Sequence, residues 1–199
     1  MSGAGDRPGQ VLTVGHSNHA PEAFLALLIR HGVTALADVR SAPRSRFNPH
    51  FNRNALSASL AGEGIAYVWL GRELGGRPDD PACYEDGTVR YDLLARTPLY
   101  REGIGRVLRG AAEHRLALMC AEKDPLHCHR TLLVSRSLEE LGLEIAHILA
   151  DGSLEPHDSA MDRLLAARRP EEDLFAEPKS RAERIEEAAR TPPRRRRRG

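Results

Sequence analysis

The sequence predicts an α/β fold: a three-layer sandwich with a mostly parallel, about five-stranded sheet of the Rossmann-like kind. Short runs of apolar and β-branched residues alternate along the chain with segments of helical periodicity. Runs that are apolar throughout are typical of parallel strands covered by helices on both faces. Polar clusters follow directly after several of these runs, as expected where ligands bind at the carboxyl ends of parallel strands.

Five segments are predicted to be buried strands, because each is short, mostly apolar and bounded by polar or glycine-containing stretches. They cover residues 10–15, 34–39, 65–70, 115–120 and 143–149. The order of these runs between helical segments favours a single sheet.

Helices are predicted between the strands, at residues 21–29, 54–61 and 130–141 and from Thr97 onward. Pro21 and the pair Thr97-Pro98 suit a first helical turn, and Gly142 suits a helix end. The connection at residues 71–96 shows weak internal structure, which is typical of a lid or a binding loop.

One α/β domain is therefore predicted over residues 9–152. A peripheral segment at 153–177 follows, with a helix around 161–167, and then a disordered arginine-rich tail at 178–199. The tail holds nine basic and three acidic residues, so the rest of the chain is acidic. An acidic body does not attract nucleic acid in general. The tail is interpreted as a solvated extension; the alternative is weak, salt-sensitive contact with nucleic acid through Arg194, Arg195, Arg196, Arg197 and Arg198.

The cysteine count and the hydropathy exclude two classes of protein. Three cysteines without an apolar leader segment disfavour a secreted disulfide scaffold and predict a cytoplasmic location. No apolar run approaches the roughly 20 residues that cross a bilayer, so no membrane association is predicted.

Candidate ligand-binding residues follow the predicted strands, where they should share one edge of the sheet. Arginine forks suit phosphate or carboxylate oxygens, so the arginines among them favour a small anionic ligand. The predicted substrate-binding residues are Ser17, Asn18, Asp38, Arg40, Arg44, Arg72 and Arg130.

The most reactive stretch of the chain is MCAEKDPLHCHRTLL, residues 119–133. Cys128 directly precedes a predicted helix, whose free N–H groups favour a thiolate or a bound anion. His129, Glu122 and His16 are the candidates for proton transfer beside a Cys128 nucleophile. Cys120 ends a buried strand and is interpreted as packing.

A metal or redox centre is the rival interpretation of this stretch, built on Cys120, Cys128 and either His127 or His129. The spacing resembles neither a CxxC zinc pair nor a CxxC redox motif, so no metal and no cofactor is predicted. The absence of GxGxxG and of GxxxxGK[ST] disfavours dinucleotide and Walker-type nucleotide binding.

Four ordered motifs, TVGHSN, LADVRSAPRSRF, YVWLGRELGG and MCAEKDPLHCHR, resemble the bacterial and archaeal family called domain of unknown function 488 over roughly residues 11–150. The resemblance implies a compact cytoplasmic α/β domain but carries no established reaction. The signature positions it implies are His16, Ser17, Asn18, Asp38, Arg40, Pro43, Glu122, Cys128, His129 and Arg130.

The leading functional hypothesis is an enzyme that acts on a small anionic substrate, nucleotide-like or phosphorylated, by hydrolysis or group transfer. The alternatives are a nucleic-acid-associated binding protein and the metal or redox module described above.

Overall fold

A computed structural model describes residues 9–168 and 179–191 of the chain. The strands are β1 (Gln10–Gly15), β2 (Ala35–Asp38), β3 (Ala66–Trp69), β4 (Tyr84–Glu85), β5 (Thr88–Val89), β6 (Leu116–Cys120), β7 (Glu144–Ile148) and β8 (Leu154–Pro156). Six of them form one sheet in the order β3-β2-β6-β1-β7-β8. All neighbours are parallel except β7 and β8, which confirms the predicted α/β class. The extra strand β8 was not predicted, because three residues carry no periodicity.

Helices cover both faces of the sheet. They are α1 (Pro21–Arg30), α2 (Arg53–Gly62), α3 (Gly71–Leu74), α4 (Tyr91–Leu94), α5 (Pro98–Glu113), α6 (Arg136–Glu140), α7 (His157–Ala167) and α8 (Arg181–Ala189). Helices α1 and α2 bury residues such as Phe24 and Leu60 against one face. Helices α5 to α8 bury residues such as Ile104 and Met161 against the other. Alternate strand residues therefore point into two separate cores, as a three-layer sandwich requires.

The segment predicted as one helix over residues 130–141 is in fact two elements. A π-helix, Arg130–Ser135, precedes α6. The Ser135 hydroxyl donates to the Arg130 carbonyl oxygen at 2.7 Å within this turn. Apolar periodicity does not distinguish a π-turn from an α-turn, so the sequence could not predict it.

The connection at residues 71–96 is more ordered than predicted. It contains α3, a 3₁₀ turn at Pro81–Cys83, the β4–β5 hairpin and α4. The hairpin turns at Asp86 and Gly87, both at positive φ. An Asp-Gly pair is a strong hairpin signal, so the sequence does indicate this element. Two further 3₁₀ turns lie at Pro49–Phe51 and Pro125–His127.

Part of the C-terminal region that was predicted to be peripheral or disordered is helical. The helix predicted around residues 161–167 is α7, which already begins at His157. Helix α8 lies within the segment predicted as a disordered tail; it starts with a capping box between Ser180 and Glu183. Ile185 and Ala189 of α8 are buried in the core shared with α7. The predicted nucleic-acid contacts at Arg194 to Arg198 lie outside the described residues.

Within residues 9–168 and 179–191, no helix combines the length and the apolar character needed to span a bilayer.

A buried chain of hydrogen bonds crosses the core between β1 and α7. Thr13 Oγ1 lies 2.8 Å from His147 Nδ1, and His147 Nε2 lies 3.0 Å from His157 Nδ1. Arg130 Nε donates to Thr13 Oγ1 at 3.4 Å. Because a guanidinium only donates, Thr13 Oγ1 accepts from Arg130, and a Thr13 hydroxyl that donates to His147 Nδ1, with His147 Nε2 donating to His157 Nδ1, satisfies all three contacts. Both imidazoles are neutral in this arrangement.

We expect the free energy of unfolding to fall as the pH is lowered from 6.5 towards 4. Burial lowers the pKa of His157 to about 4; Asp158 opposes this, while Arg136 and Arg181 reinforce it. The unfolded chain takes up this proton near pH 6.5 and the folded chain does not. His157 therefore lowers the stability by up to about 3 kcal/mol across this window. Urea denaturation at pH 7 and pH 5 measures the difference.

His157→Gln should flatten this pH dependence, and substitution of the exposed His114 by Gln should leave it unchanged. Equal slopes in the two variants would show that His157 is not the responsible group.

Candidate functional site

The carboxyl ends of β1, β2 and β6 lie side by side at one edge of the sheet. Gly15 of β1 is level with Cys120 of β6, and Asp38 of β2 is level with Met119. The residues that follow these strands therefore meet, because parallel strands deliver their ends to the same edge.

Two thiols and one imidazole form a compact group, here called the sulfur–imidazole cluster: Cys120, Cys128 and His129. The His129 Nδ1 atom lies 3.7 Å from Cys120 Sγ and 3.9 Å from Cys128 Sγ. All three donor atoms lie within 4.8 Å of one another. Both thiols are buried, with Cys128 only 1% exposed. Cys120 is thus a member of the cluster and not merely a packing residue.

The first backbone amides of the π-helix donate hydrogen bonds to Cys128. Its carbonyl oxygen accepts from the amides of Thr131 and Leu132 at 3.1 Å each. The Arg130 amide donates to Cys128 Sγ at 3.4 Å. The sequence predicted that free amides here would hold an external anion, but in the structure these amides have internal acceptors.

The cluster is electrostatically asymmetric. Burial acts to raise the pKa of the Cys128 thiol, but the hydrogen bond with Cys120 and the charges of Arg130 and His129 outweigh it and lower that pKa well below the ordinary value. The hydrogen bond with Cys128, together with burial, raises the pKa of Cys120. Cys128 is therefore the sulfur that loses its proton first.

His129 is held in one orientation. Its Nε2 donates to the Val39 carbonyl oxygen at 2.9 Å, which directs Nδ1 toward the two sulfurs. Burial acts to lower the pKa of His129, but the neighbouring Cys128 outweighs it and raises that pKa. Gly76 packs against the ring: a Cβ at this position would lie 2.7 Å from His129 Cγ. The last glycine of GRELGG thus allows the segment after α3 to pack directly on the His129 ring.

Glu122 joins the cluster to an open groove. Its Oε2 lies 3.0 Å from Cys120 Sγ, where it is the alternative to Cys128 as acceptor of the single Cys120 S–H, and its side chain is partly exposed. The groove has a volume of about 850 Å³ and an excess of carboxylates. The charged residues that line it are Glu122, Lys123, Asp124, Asp151, Glu155 and Arg163. This side of the sheet edge is therefore acidic, unlike the anion site that the sequence predicted.

Arg130, a predicted substrate-binding residue, is completely buried. Its Nη1 donates to the Glu122 carbonyl oxygen at 2.7 Å, and its Nη2 lies 3.5 Å from that of Lys123. Within the described residues, no carboxylate lies at ion-pair distance from its guanidinium. Arg130 is thus a buried cation that stabilises the loop after β6 by hydrogen bonds to its carbonyl oxygens.

A second network joins Asp38, Arg40 and His16 beside the cluster. Arg40 donates to both carboxylate oxygens of Asp38, at 2.9 and 2.6 Å, and to the Phe51 carbonyl oxygen at 2.8 Å. Tyr67 donates to Asp38 at 2.8 Å. Both members of this ion pair are buried. Asp38 and Arg40 were predicted to contact substrate, but here they satisfy each other.

His16 is a weak base in this network. Its Nδ1 donates to the Ser17 carbonyl oxygen at 2.9 Å, and its Nε2 accepts from Arg40 at 3.2 Å. Burial, reinforced by Arg40, lowers the pKa of His16 to about 4. The lone pair of His16 Nε2 already accepts from Arg40, so this geometry does not support the proton-transfer role predicted for His16. Its ring stacks on Phe51, with centroids 4.3 Å apart.

Five exposed arginines lie in the segments that follow β2 and β3, with Arg53 at the start of α2 and Arg72 in α3, and we call them the arginine rim. Its members are Arg44, Arg46, Arg53, Arg72 and Arg77. In the described part of the chain none of them pairs with a carboxylate. The two segments are joined: the Arg53 guanidinium lies 5.2 Å from the Trp69 ring, and the Arg77 amide donates to Ser41.

The rim borders the cluster, because Arg77 follows Gly76, the residue packed on His129. Arg44 and Arg72 were predicted as ligand contacts; Arg46, Arg53 and Arg77 were not named, although the excess of arginine between residues 40 and 77 was the available signal.

Ser17 and Asn18 lie at the end of β1, with Ser17 at φ 47° and Asn18 exposed. Tyr91 was not predicted either: it is buried near the thiols, and burial raises its pKa.

Only one group within residues 9–168 and 179–191 brings three metal-binding side chains together, and it is the sulfur–imidazole cluster. Thiolate and imidazole donors suit zinc and other thiophilic cations. The sequence predicted no metal because the Cys120–Cys128 spacing is unusual; the fold closes that gap in space.

The fold and this site define an α/β sandwich with a sulfur–imidazole cluster at the carboxyl edge of its sheet. The family described as "Domain of unknown function DUF488" matches residues 20–137. The chain belongs to this family, as its four motifs indicated. His16, Ser17 and Asn18 precede the matched range. No curated protein and no solved structure matches the chain.

Gly76→Ala should destabilise the fold by about 1–3 kcal/mol, because the added Cβ would overlap the His129 ring, which is held by Val39. Gly62→Ala is the matched control, since a Cβ there meets no atom within 4 Å. Urea denaturation of both variants measures the difference. Equal stability would mean that the segment over His129 is not closely packed.

Proposed function

We propose that this protein is an enzyme that binds a small anionic substrate, nucleotide-like or phosphorylated, on the arginine rim. Hydrolysis or group transfer then takes place at the adjacent sulfur–imidazole cluster. The observation that carries the proposal is the rim itself: five exposed guanidinium groups without a carboxylate partner among the described residues. A guanidinium fork binds phosphate or carboxylate oxygens in a bidentate manner, and an unpaired one is free to do so.

The proposal changes the roles expected for several residues. Arg40 and Arg130 are positioning residues, because their guanidinium groups already have internal partners. Exposed Arg44 and Arg72 keep the anion-binding role, together with Arg53 and Arg77. Ser17 and Asn18, next to this edge, offer hydroxyl and amide groups to the rest of the substrate.

Glu122 is the proposed proton-transfer group, because its carboxylate contacts Cys120 of the cluster and its side chain also lines the open groove. His129 positions the sulfurs. Cys128 is too deeply buried to attack a substrate directly in this conformation. Its proposed part in the reaction centre is to hold His129, whose Nδ1 lies 3.9 Å from its sulfur. A cytoplasmic setting, in which thiols stay reduced, suits this centre.

Thermal unfolding of the full chain with inorganic phosphate, nucleoside phosphates and sugar phosphates tests the proposal. At least one of these anions should raise the midpoint in a concentration-dependent way. Arg44→Gln/Arg53→Gln should weaken the binding of that anion about tenfold for each guanidinium removed. The matched control, Arg30→Gln/Arg109→Gln, removes the same charge from exposed arginines outside the rim.

Stabilisation by none of these anions, or an equal weakening in the two double variants, would contradict an anion site on the rim.

A second candidate function is the binding of single-stranded nucleic acid, and one observation favours it. Phe47 lies in the loop after β2 and is 79% exposed, and the Arg46 guanidinium lies 4.9 Å from its ring centroid. Exposed aromatic rings beside arginines are typical of surfaces on which bases stack and phosphates pair. The same rim would then hold a polymer in place of a small molecule.

Phe47→Ala should weaken the binding of a short single-stranded oligonucleotide by about 1–3 kcal/mol if a base stacks on it. Ile29→Ala, at another exposed apolar side chain, should have no effect. Fluorescence anisotropy at several salt concentrations measures both. Both variants keep residues 194–198, so any contact of that segment with nucleic acid is the same in the two measurements. Identical affinities would exclude Phe47 as a stacking platform.

A further inference from the structure

We infer that the sulfur–imidazole cluster binds a divalent thiophilic cation of the zinc class through Cys120 Sγ, Cys128 Sγ and His129 Nδ1. In a tetrahedral zinc site, with Zn–S about 2.3 Å and Zn–N about 2.0 Å, sulfur and nitrogen ligands lie about 3.5 Å apart. The two sulfur–nitrogen distances here are 3.7 and 3.9 Å. The two sulfur–nitrogen distances therefore need to shorten by only a few tenths of an ångström, and all three donors already lie within 4.8 Å of one another.

The imidazole is oriented as a metal ligand requires. His129 Nε2 donates to the Val39 carbonyl oxygen at 2.9 Å, so Nδ1 faces the sulfurs with its lone pair. Bonding of the second ring nitrogen to a backbone carbonyl is the usual way in which proteins fix a ligating histidine. Gly76 lies directly against the ring, where a Cβ would come within 2.7 Å of His129 Cγ.

The surrounding charges also favour a metal centre. A divalent cation with two thiolates and a neutral imidazole has no net charge, and the Glu122 carboxylate, whose hydrogen bond from the Cys120 thiol is lost when that thiol ionises, adds one negative charge. The buried Arg130 guanidinium lacks a carboxylate partner among the described residues, and its amide donates to Cys128 Sγ. An uncompensated buried cation is costly. The metal, thiolate and carboxylate groups together supply its countercharge.

The inference deepens the proposed function, on which its catalytic part rests. Three protein ligands leave the fourth position of a tetrahedral ion to a water molecule, as in catalytic zinc sites. A carboxylate beside such an ion takes the proton of the bound water in zinc hydrolases and deaminases. Glu122 is placed for this role and opens to the groove. Binding itself involves no oxidation or reduction: the two thiol protons pass to solvent.

The test is the metal content of the full chain purified without chelators. We expect about one zinc per chain in the unmodified protein and its loss in Cys120→Ser, Cys128→Ser and His129→Gln. Cys83→Ser is the matched control, because Cys83 is equally buried but lies outside the cluster. This variant should retain the metal.

Because the cluster variants change buried residues, cobalt substitution of the unmodified chain provides a second measurement. A sulfur-to-cobalt charge-transfer band and a tetrahedral d–d spectrum are expected, and Cys83→Ser should leave both unchanged. Removal of the metal by a chelator should lower the thermal midpoint, since the metal binds only the folded site.

Three results would overturn the inference: no zinc or cobalt bound at stoichiometric concentration, a cobalt spectrum without thiolate charge transfer, or a Cys120–Cys128 disulfide found by mass spectrometry. Anion binding by the rim is measured separately. A metal-free chain that still binds phosphate would remove the metal site and keep the proposed function, and a zinc-loaded chain indifferent to anions would do the reverse.

Discussion

The buried guanidinium of Arg130 is the constraint on which the rest of the site depends. A permanent cation without contact to solvent needs acceptors on every side, and it takes them from Thr13 and from the loop carbonyls of Glu122 and Lys123. This loop can approach so closely only because residue 15 is glycine: a Cβ there would lie 1.9 Å from the Glu122 carbonyl oxygen. Holding the loop in this way brings the Glu122 carboxylate to Cys120 and the Arg130 amide to Cys128.

The network of Asp38, Arg40 and His16 fixes the neighbouring strands in the same way. It joins the ends of β1 and β2, and Tyr67 extends it to β3. Breaking such a pair by removing one partner leaves a buried charge, which typically costs about 3–5 kcal/mol. Asp38 and Arg40 of the signature DVR thus form a buried frame beside the cluster, whereas the arginines further along the chain are exposed and have no carboxylate partner among the described residues.

The carboxyl edge of the sheet is electrostatically divided. The arginine rim lies beyond β2 and β3, whereas the groove that contains Glu122 is rich in carboxylates. The sulfur–imidazole cluster lies between them, next to Gly76 on one side and Glu122 on the other. A substrate with a phosphate at one end and a neutral or cationic group at the other would complement both halves.

The sequence by itself determined the α/β class, the five principal strands and the accumulation of polar residues at their ends, because apolar periodicity and strand polarity are local properties. Tertiary structure decided which side chains satisfy one another. Arg40 and Arg130 were expected to face a ligand, but only packing reveals that Asp38 and the loop carbonyls reach them first. Cys120 and Cys128 are too widely spaced in the chain for a recognised metal motif, and the turn after β6 brings their sulfurs together. Contacts between residues distant in sequence depend on the whole sheet, and no local pattern encodes them.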